Sequence, residues 1–261
     1  MESPRGDAVL ALEGVTHRYG DVVAVRDVHL SVAPGQTVGL IGPNGSGKTT
    51  TLRVAAGLLR STMGDARVMG RSVAADPVAA KRRFAFVPDV PLGLDHLTVR
   101  EYFDLYRALQ RADAGYAERV AVLARAMDLG SVRDRVLGSL SLGTRRKVCL
   151  VAAFALARPL LFLDEVTSAL DPESVIVLES LLRVRSSRGA ATLLATQDLA
   201  FAERVCDVVA LLASGAVVAR GAPDELRDRY RRRDLRGVFI AATGLESVLE
   251  DLSHDLGAVP N

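Results

Sequence analysis

The chain has 261 residues, of which 49% are hydrophobic and 25% charged, the composition of a globular protein that can bury a sizeable core. Its formal net charge of +2 is small, so overall electrostatic attraction does not predict nucleic acid as a partner. No stretch approaches the roughly 18 apolar residues of a membrane span, so we expect any membrane role to need a second polypeptide.

The first part of the chain predicts an antiparallel β region. Residues 1–7 contain no hydrophobic segment and therefore predict no secretory signal. Short apolar runs at 9–12, 22–25 and 28–32 predict strands, and Tyr19-Gly20-Asp21 predicts a turn between two of them.

An apolar strand at 37–41 leads directly into a glycine-rich loop of the form G-x-x-x-x-G-K-[ST], which we call the phosphate loop (42–49). A helix-compatible stretch follows from Thr50. Backbone N–H groups of such a loop cradle phosphate oxygens, while Lys48 is placed for the β- and γ-phosphates and Thr49 for Mg²⁺. The predicted nucleotide-binding residues of this segment are Gly42, Pro43, Asn44, Gly45, Ser46, Gly47, Lys48, Thr49 and Thr50.

The middle of the chain changes to helical spacing. After a strand at 83–87, apolar residues recur at helical spacing from 98 to about 110, and Thr98 with Glu101 has the form of a capping box. Further helices are predicted at 118–128 and 142–157. We expect the region 91–155 to form a separate helical lobe.

Strands and helices alternate again towards the C-terminus, which predicts an α/β fold: a mainly parallel sheet with helices on both faces. The strands are predicted at 160–163, 191–195, 208–212 and 216–219, and the helices at 172–185 and 201–206. Ser214-Gly215 predicts a hairpin turn. Cys149 and Cys206 lie in apolar runs and predict core thiols in a reducing, cytoplasmic compartment.

The strand at 160–163 ends in Asp164-Glu165. Because the carboxyl end of a buried strand lies near the ligand site of an open α/β sheet, Asp164 is predicted to hold Mg²⁺ through water. Glu165 is predicted to polarise an attacking water and is the principal catalytic candidate.

Four ordered motifs resemble the ATP-binding cassette (ABC) ATPases. The phosphate loop is followed by a signature segment, Leu140-Ser141-Leu142-Gly143-Thr144, then by the strand ending in Asp164-Glu165, and then by Ser168-Ala169-Leu170-Asp171. The resemblance covers residues 8–225 and implies a P-loop NTPase core, with 226–261 as a C-terminal tail. It also implies that two such chains pair head to tail with ATP between them, so that Ser141 and Gly143 contact the γ-phosphate bound by the partner. Tyr19 matches the aromatic residue that stacks on adenine.

Two positions depart from the family pattern. Asp89 stands where Gln is usual, and its carboxylate is expected to remain a Mg²⁺ ligand. Gln197 stands where the family has a catalytic histidine; because its amide cannot carry a proton, slow hydrolysis is expected.

The resemblance implies a cytoplasmic ATPase subunit, peripheral on the inner face of the cell membrane, that moves a separate permease through a surface at 86–106. The segment 234–244 resembles the end of ATPases that serve small-molecule or drug exporters.

The second ATP-binding subunit is either an identical or a different chain. Alternatives are a non-hydrolysing regulatory subunit of a heterodimer, or an ABC protein of ribosomes or DNA repair, although those usually carry two cassettes or long coiled coils. The arginine run at 227–236 fits a solvated helix face better than a patch for anionic lipid.

Overall fold

The computed structural model describes residues 8–90 and 93–248. The predicted absence of a signal at 1–7, the last part of the predicted tail and two residues of the predicted lobe therefore lie outside the described residues. Within them the chain forms ten strands, which are β1 (Leu10–Tyr19), β2 (Val22–Val32), β3 (Thr37–Ile41), β4 (Met63–Val68), β5 (Arg71–Ser72), β6 (Phe84–Val87), β7 (Leu160–Asp164), β8 (Ala191–Thr196), β9 (Val208–Ala213) and β10 (Ala216–Gly221).

The described residues also form nine α-helices and two single-turn 3₁₀ helices. The α-helices are α1 (Lys48–Ala55), α2 (Pro77–Lys81), α3 (Val99–Leu109), α4 (Tyr116–Ala126), α5 (Leu142–Ala155), α6 (Pro172–Ser187), α7 (Leu199–Val205), α8 (Pro223–Tyr230) and α9 (Leu235–Thr243). None of the helices in this part of the chain combines the length and the hydropathy needed to cross a bilayer.

Two sheets build the core of the molecule. The larger has the strand order β10-β9-β3-β8-β7-β6, with β9, β3, β8, β7 and β6 parallel and only β10 antiparallel. The smaller is antiparallel with the order β2-β1-β4-β5. The predicted fold class, a P-loop NTPase core with an antiparallel β region and a helical lobe, is confirmed.

Side chains of the larger sheet alternate between two hydrophobic clusters, as the two-residue period of a strand requires. In β7, Leu161 and Leu163 pack with α5 and α6, whereas Leu160 and Phe162 pack with α1 and the antiparallel sheet. The sheet is thus covered on both faces, and its strands are almost fully buried.

Some local predictions were wrong. The strands expected at 22–25 and 28–32 are one continuous strand, β2, with an irregular register where Asp27 adopts a positive φ of 47°. β4 was not predicted because only Ala66 and Val68 of it are buried, which leaves a weak apolar signal. The capping box of α3 is confirmed: Thr98 Oγ1 accepts from the amide of Glu101, and Glu101 Oε2 accepts from the amide of Thr98.

The strand order brings three functional segments to one edge. The phosphate loop follows β3, Gln197 follows β8, and Asp164-Glu165 ends β7; these three strands are neighbours in the order β3-β8-β7. Since parallel neighbours end at the same edge of the sheet, the loop and both acidic residues meet there.

Candidate functional site

The phosphate loop is a tight turn that only glycine can make at two positions. Gly45 and Gly47 have φ angles of 79° and 101°, in the left-handed region. A Cβ on Gly47 would stand 2.6 Å from the carbonyl oxygen of Ala24. No side chain caps α1 at Gly47, so the first amides of that helix are available to an anion.

Lys48 lies inside the loop. Its side chain is only 5% exposed, and its Nζ donates to the carbonyl oxygens of Gly42 at 2.8 Å and Pro43 at 3.2 Å. It also forms an ion pair with Glu165, with Nζ 3.1 Å from Oε1. Of the other loop residues, Ser46 is buried, whereas Pro43, Asn44 and Gly45 form an exposed rim.

Asp164 and Thr49 form the candidate magnesium site. Thr49 Oγ1 donates to Asp164 Oδ1 at 2.9 Å, while Oδ2 of Asp164 is buried with no hydrogen-bond partner. Burial raises the pKa of Asp164; the Thr49 hydroxyl opposes this rise, and the negative charges of Asp89 and Glu165 add to it. An orphaned carboxylate oxygen beside a hydroxyl fits a hard divalent cation that keeps most of its water.

Asp89 lies within electrostatic reach of that site but is also engaged elsewhere. Its Oδ1 accepts from the Arg146 guanidinium at 3.2 Å. Among the described residues, no group of three or more His, Cys, Asp and Glu side chains is arranged to hold a metal. The predicted set of Thr49, Asp89 and Asp164 comprises one hydroxyl and two carboxylates, and its role as a metal site stays a prediction.

Glu165 is held in a sparsely populated backbone conformation, with φ at 46°. Its amide donates to the carbonyl oxygen of Ala195, and its Oε2 accepts from the amide of Gln197 at 3.2 Å. Gln197 thus contacts the candidate base through its backbone, while its side chain is exposed.

The signature segment begins a helix, as its sequence predicts. Ser141 is the N-cap of α5, and its Oγ accepts from the amide of Thr144 at 3.2 Å. Ser141 and Leu142 are exposed. In the described part of the chain no hydrogen bond joins Ser141 or Gly143 to the phosphate loop.

Tyr19 is the last residue of β1, and 48% of its surface is exposed. Its ring packs edge to face against the His17 ring, with the two ring centroids 4.6 Å apart. The same β1–β2 hairpin touches the phosphate loop, since Ala24 and Val25 lie against Gly47. An exposed aromatic face is therefore placed on the element that borders the loop.

Comparison with known proteins decides the family. The sequence profile described as "ABC transporter" matches residues 25–168, more than half of the chain. The chain belongs to this family.

Individual ABC proteins match over most of the chain. It is 36% identical over 245 residues to the daunorubicin/doxorubicin resistance ATP-binding protein DrrA of Streptomyces peucetius, covering 94% of this chain and 74% of the relative. It is 31% identical to the ABC-type transporter ATP-binding protein EcsA of Bacillus subtilis, covering 95% and 100%. A solved ATP-binding subunit of an ABC transporter superposes with a TM-score of 0.85 at 32% identity, covering 90% and 99%.

The chain is therefore the ATP-binding subunit of an ABC transporter and an ATPase. Subunits of this family dimerise and work with a transmembrane permease. These comparisons do not favour the alternative of a non-hydrolysing regulatory subunit.

Two parts of this ABC ATPase site were not predicted. The hairpin turn between β9 and β10 touches the phosphate loop: the Gly215 amide donates to the Ser46 carbonyl oxygen at 3.1 Å, and the Gly215 carbonyl oxygen accepts from Arg26. The second is Arg146, whose guanidinium is only 2% exposed and contacts three segments of the site. Arg146 is the middle residue of the basic run Arg145-Arg146-Lys147, and nothing in that run distinguishes the buried arginine from its neighbours.

Proposed function

We propose that this chain drives a separate permease that exports amphipathic small molecules, by binding Mg-ATP at a seam between two ATP-binding subunits. The observation that carries export is the similarity over 94% of the chain to an ATP-binding protein named for drug resistance. ATP-binding subunits of this family work with a transmembrane permease, which would supply the path through the bilayer.

The nucleotide binds through the phosphate loop. The loop amides, the Lys48 ammonium and the start of α1 converge where the β- and γ-phosphates would lie. Thr49, Asp89 and, through water, Asp164 would hold Mg²⁺, which would neutralise the charge that develops on the phosphates.

ATP also changes what Lys48 does. In this structure Lys48 Nζ lies 3.1 Å from Glu165 Oε1. Phosphate oxygens give the ammonium a stronger partner, which releases the Glu165 carboxylate to accept a hydrogen bond from water. Glu165 then orients and polarises that water for in-line attack on the γ-phosphorus, and ADP and phosphate are the products.

The second half of the site comes from the other subunit. Ser141 and Gly143 begin α5 on an exposed surface, where a hydroxyl and helix-start amides favour an anion. With Tyr19 on the adenine, the triphosphate would be enclosed between two chains.

Because Gln197 lacks the proton-carrying ring of histidine, the site built on this chain's loop hydrolyses slowly, and a different chain with a faster site is its expected partner. Native mass spectrometry that found only homodimers in cells would contradict the heterodimer.

The permease docks on the surface predicted at 86–106, of which residues 91 and 92 lie outside the described residues. This surface continues into a groove of about 450 Å³ between α3 and α4. Its floor is apolar, and four arginines lie among its lining residues: Arg100, Arg107, Arg125 and Arg133. Such a groove suits an amphipathic permease segment that carries acidic residues. Docking there places the subunit on the cytoplasmic face of the membrane.

Transport measurements test the proposal. Inside-out membrane vesicles containing the chain and its permease should accumulate an amphipathic drug such as daunorubicin when ATP is added. Glu165→Gln is the matched control: it removes the carboxylate that polarises water but leaves the loop, so ATP should still bind while hydrolysis falls at least about 100-fold and accumulation stops. Accumulation only in right-side-out vesicles would show import and overturn the export proposal.

A further inference from the structure

Arg146 is a buried cation that no nucleotide contact explains. It lies in the second turn of α5 and is the largest side chain in the described residues that is almost fully buried. Burying an unpaired guanidinium in the protein interior costs free energy, because the charged group loses its contacts with water. Its placement therefore requires partners.

The partners of Arg146 belong to three different segments. Nη1 donates to the carbonyl oxygen of Glu165 and, at 2.7 Å, to Ser168 Oγ. Nη2 donates to the carbonyl oxygen and, at 3.2 Å, to Oδ1 of Asp89. One side chain from the helical lobe thus holds the loop after β6, the end of β7 and the 168–171 segment together.

These contacts bear on the attacking water. Glu165 has a positive φ, so the direction of its side chain depends on how its peptide is held. Arg146 fixes the carbonyl side of that residue, while the amide of Gln197 and the Lys48 ammonium fix the carboxylate. Arg146 does not touch the carboxylate itself, so it acts through position.

The positive charge of Arg146 gives it a second role, next to nearby carboxylates. Asp89, Asp164 and Glu165 place three carboxylates near one small site, and Asp89 and Glu165 both act electrostatically on Asp164. Lys48 is committed to the loop and to Glu165. Arg146 is the cation in contact with Asp89, and the ion pair leaves the other Asp89 oxygen for the metal site.

We propose that Arg146 is a positioning residue for ATP hydrolysis, which compensates the carboxylate at position 89 and holds Glu165 in line with the γ-phosphate. The metal part of this inference rests on the proposed function. Nη1 makes the Glu165 contact and Nη2 makes the Asp89 contact, so the part of the effect of removing Arg146 that comes from Nη2 depends on whether position 89 is charged.

A double-mutant cycle on the full chain tests this dependence. Arg146→Gln should lower kcat about tenfold or more and leave KM for ATP within about twofold, because the loop contacts are intact. In the Asp89→Asn background the same Arg146→Gln change should cost about threefold or less, because no unpaired carboxylate is left beside the metal site. Arg146→Lys, which keeps the charge but loses the fork of donors, should retain intermediate activity.

Arg145→Gln is the matched control. Arg145 precedes Arg146 on α5 and also pairs with an aspartate, Asp95, at 3.2 Å, but that aspartate is 60% exposed and remote from β6 and β7. We expect its kcat to stay within about twofold of the parent, as for an exposed ion pair.

The outcomes separate cleanly. An equal loss of kcat in both backgrounds would overturn the compensation of the carboxylate at position 89, and a loss that appears in KM would overturn the positioning of Glu165. If Arg146→Gln fails to fold, Arg146→Lys with and without Asp89→Asn completes the same comparison. Mg²⁺-independent hydrolysis by the parent chain would remove the metal site instead, a different failure.

Discussion

Gln197 stands where the resemblance to the ABC ATPases predicts a catalytic histidine. Its backbone amide donates to Glu165 Oε2 at 3.2 Å, so position 197 lies beside the candidate base. Its side chain can donate a hydrogen bond but cannot carry a proton, which limits how well it can organise water and γ-phosphate together.

Replacing Gln197 with His should therefore raise the steady-state rate of ATP hydrolysis by about tenfold, within the range that one positioned acid–base group contributes. The measurement is phosphate release by the chain assembled with its natural partner. Gln197→Asn, which keeps an amide and shortens its reach, is the control and should not exceed the parent rate. Equal rates for Gln197→His and the parent would show that the missing ring is not what limits turnover.

At the scale of elements, the start of α5 is tied to the 168–171 segment of its own chain. A Cβ on Gly143 would stand 2.3 Å from the carbonyl oxygen of Ala169. Lys147 pairs with Asp171 at 2.6 Å, and this ammonium together with the Ser174 amide at the start of α6 holds the pKa of Asp171 well below its usual range. These contacts therefore hold the start of α5 against the 168–171 segment and the start of α6.

Gly143→Ala should break this contact. The added methyl must displace the Ala169 backbone or tilt α5, a cost of about 1–3 kcal/mol that falls on the catalytic elements. We expect ATP hydrolysis to fall about tenfold with little change in ATP binding, measured by nucleotide titration.

Gly130→Ala is the matched control, since a Cβ there would meet nothing within 4 Å. It should keep the parent rate. A Gly143→Ala protein with parental hydrolysis would show that the α5 contact is not needed for catalysis.

At the scale of the whole molecule, each chain carries parts of two nucleotide sites: the phosphate-loop side of one site and the signature-segment side of the other. Lys48 and Glu165 lie together at the edge of the larger sheet, whereas Ser141 is exposed at the start of α5 with no hydrogen bond to the phosphate loop within the described residues. Two chains related by a two-fold axis would complete both sites at once, because an isologous pair repeats each contact.

Mixing two inactive variants tests this arrangement. Lys48→Ala should abolish nucleotide binding at its own loop, and Ser141→Arg should block the partner's site, so neither protein should hydrolyse ATP alone. In an equal mixture about half of the dimers are mixed, each with one intact site, so about a quarter of the parental single-turnover hydrolysis should return. A mixture as inactive as its components would contradict a site shared between two copies of this chain and is the result expected if only a different chain completes the site.

Much of the site was predictable because its candidate residues lie in short, contiguous sequence motifs. The phosphate loop needs glycines at fixed positions for its positive φ angles, and Asp164 ends a strand whose five residues are all buried, with Glu165 directly after it. The nearly continuous apolar runs of β3, β7 and β8 predicted the parallel sheet, since strands buried on both faces carry few polar residues.

The sequence by itself indicated the family and the α/β core and predicted the residues expected to meet phosphate, because periodicity and loop chemistry are local properties of the chain. Tertiary structure alone decided that Gly215 braces the phosphate loop, that Lys48 pairs with Glu165, and that Arg146 spans Asp89, Glu165 and Ser168. These contacts join residues far apart in sequence. Their pairing depends on strand order and on how the helices pack over the sheet, which no local pattern specifies.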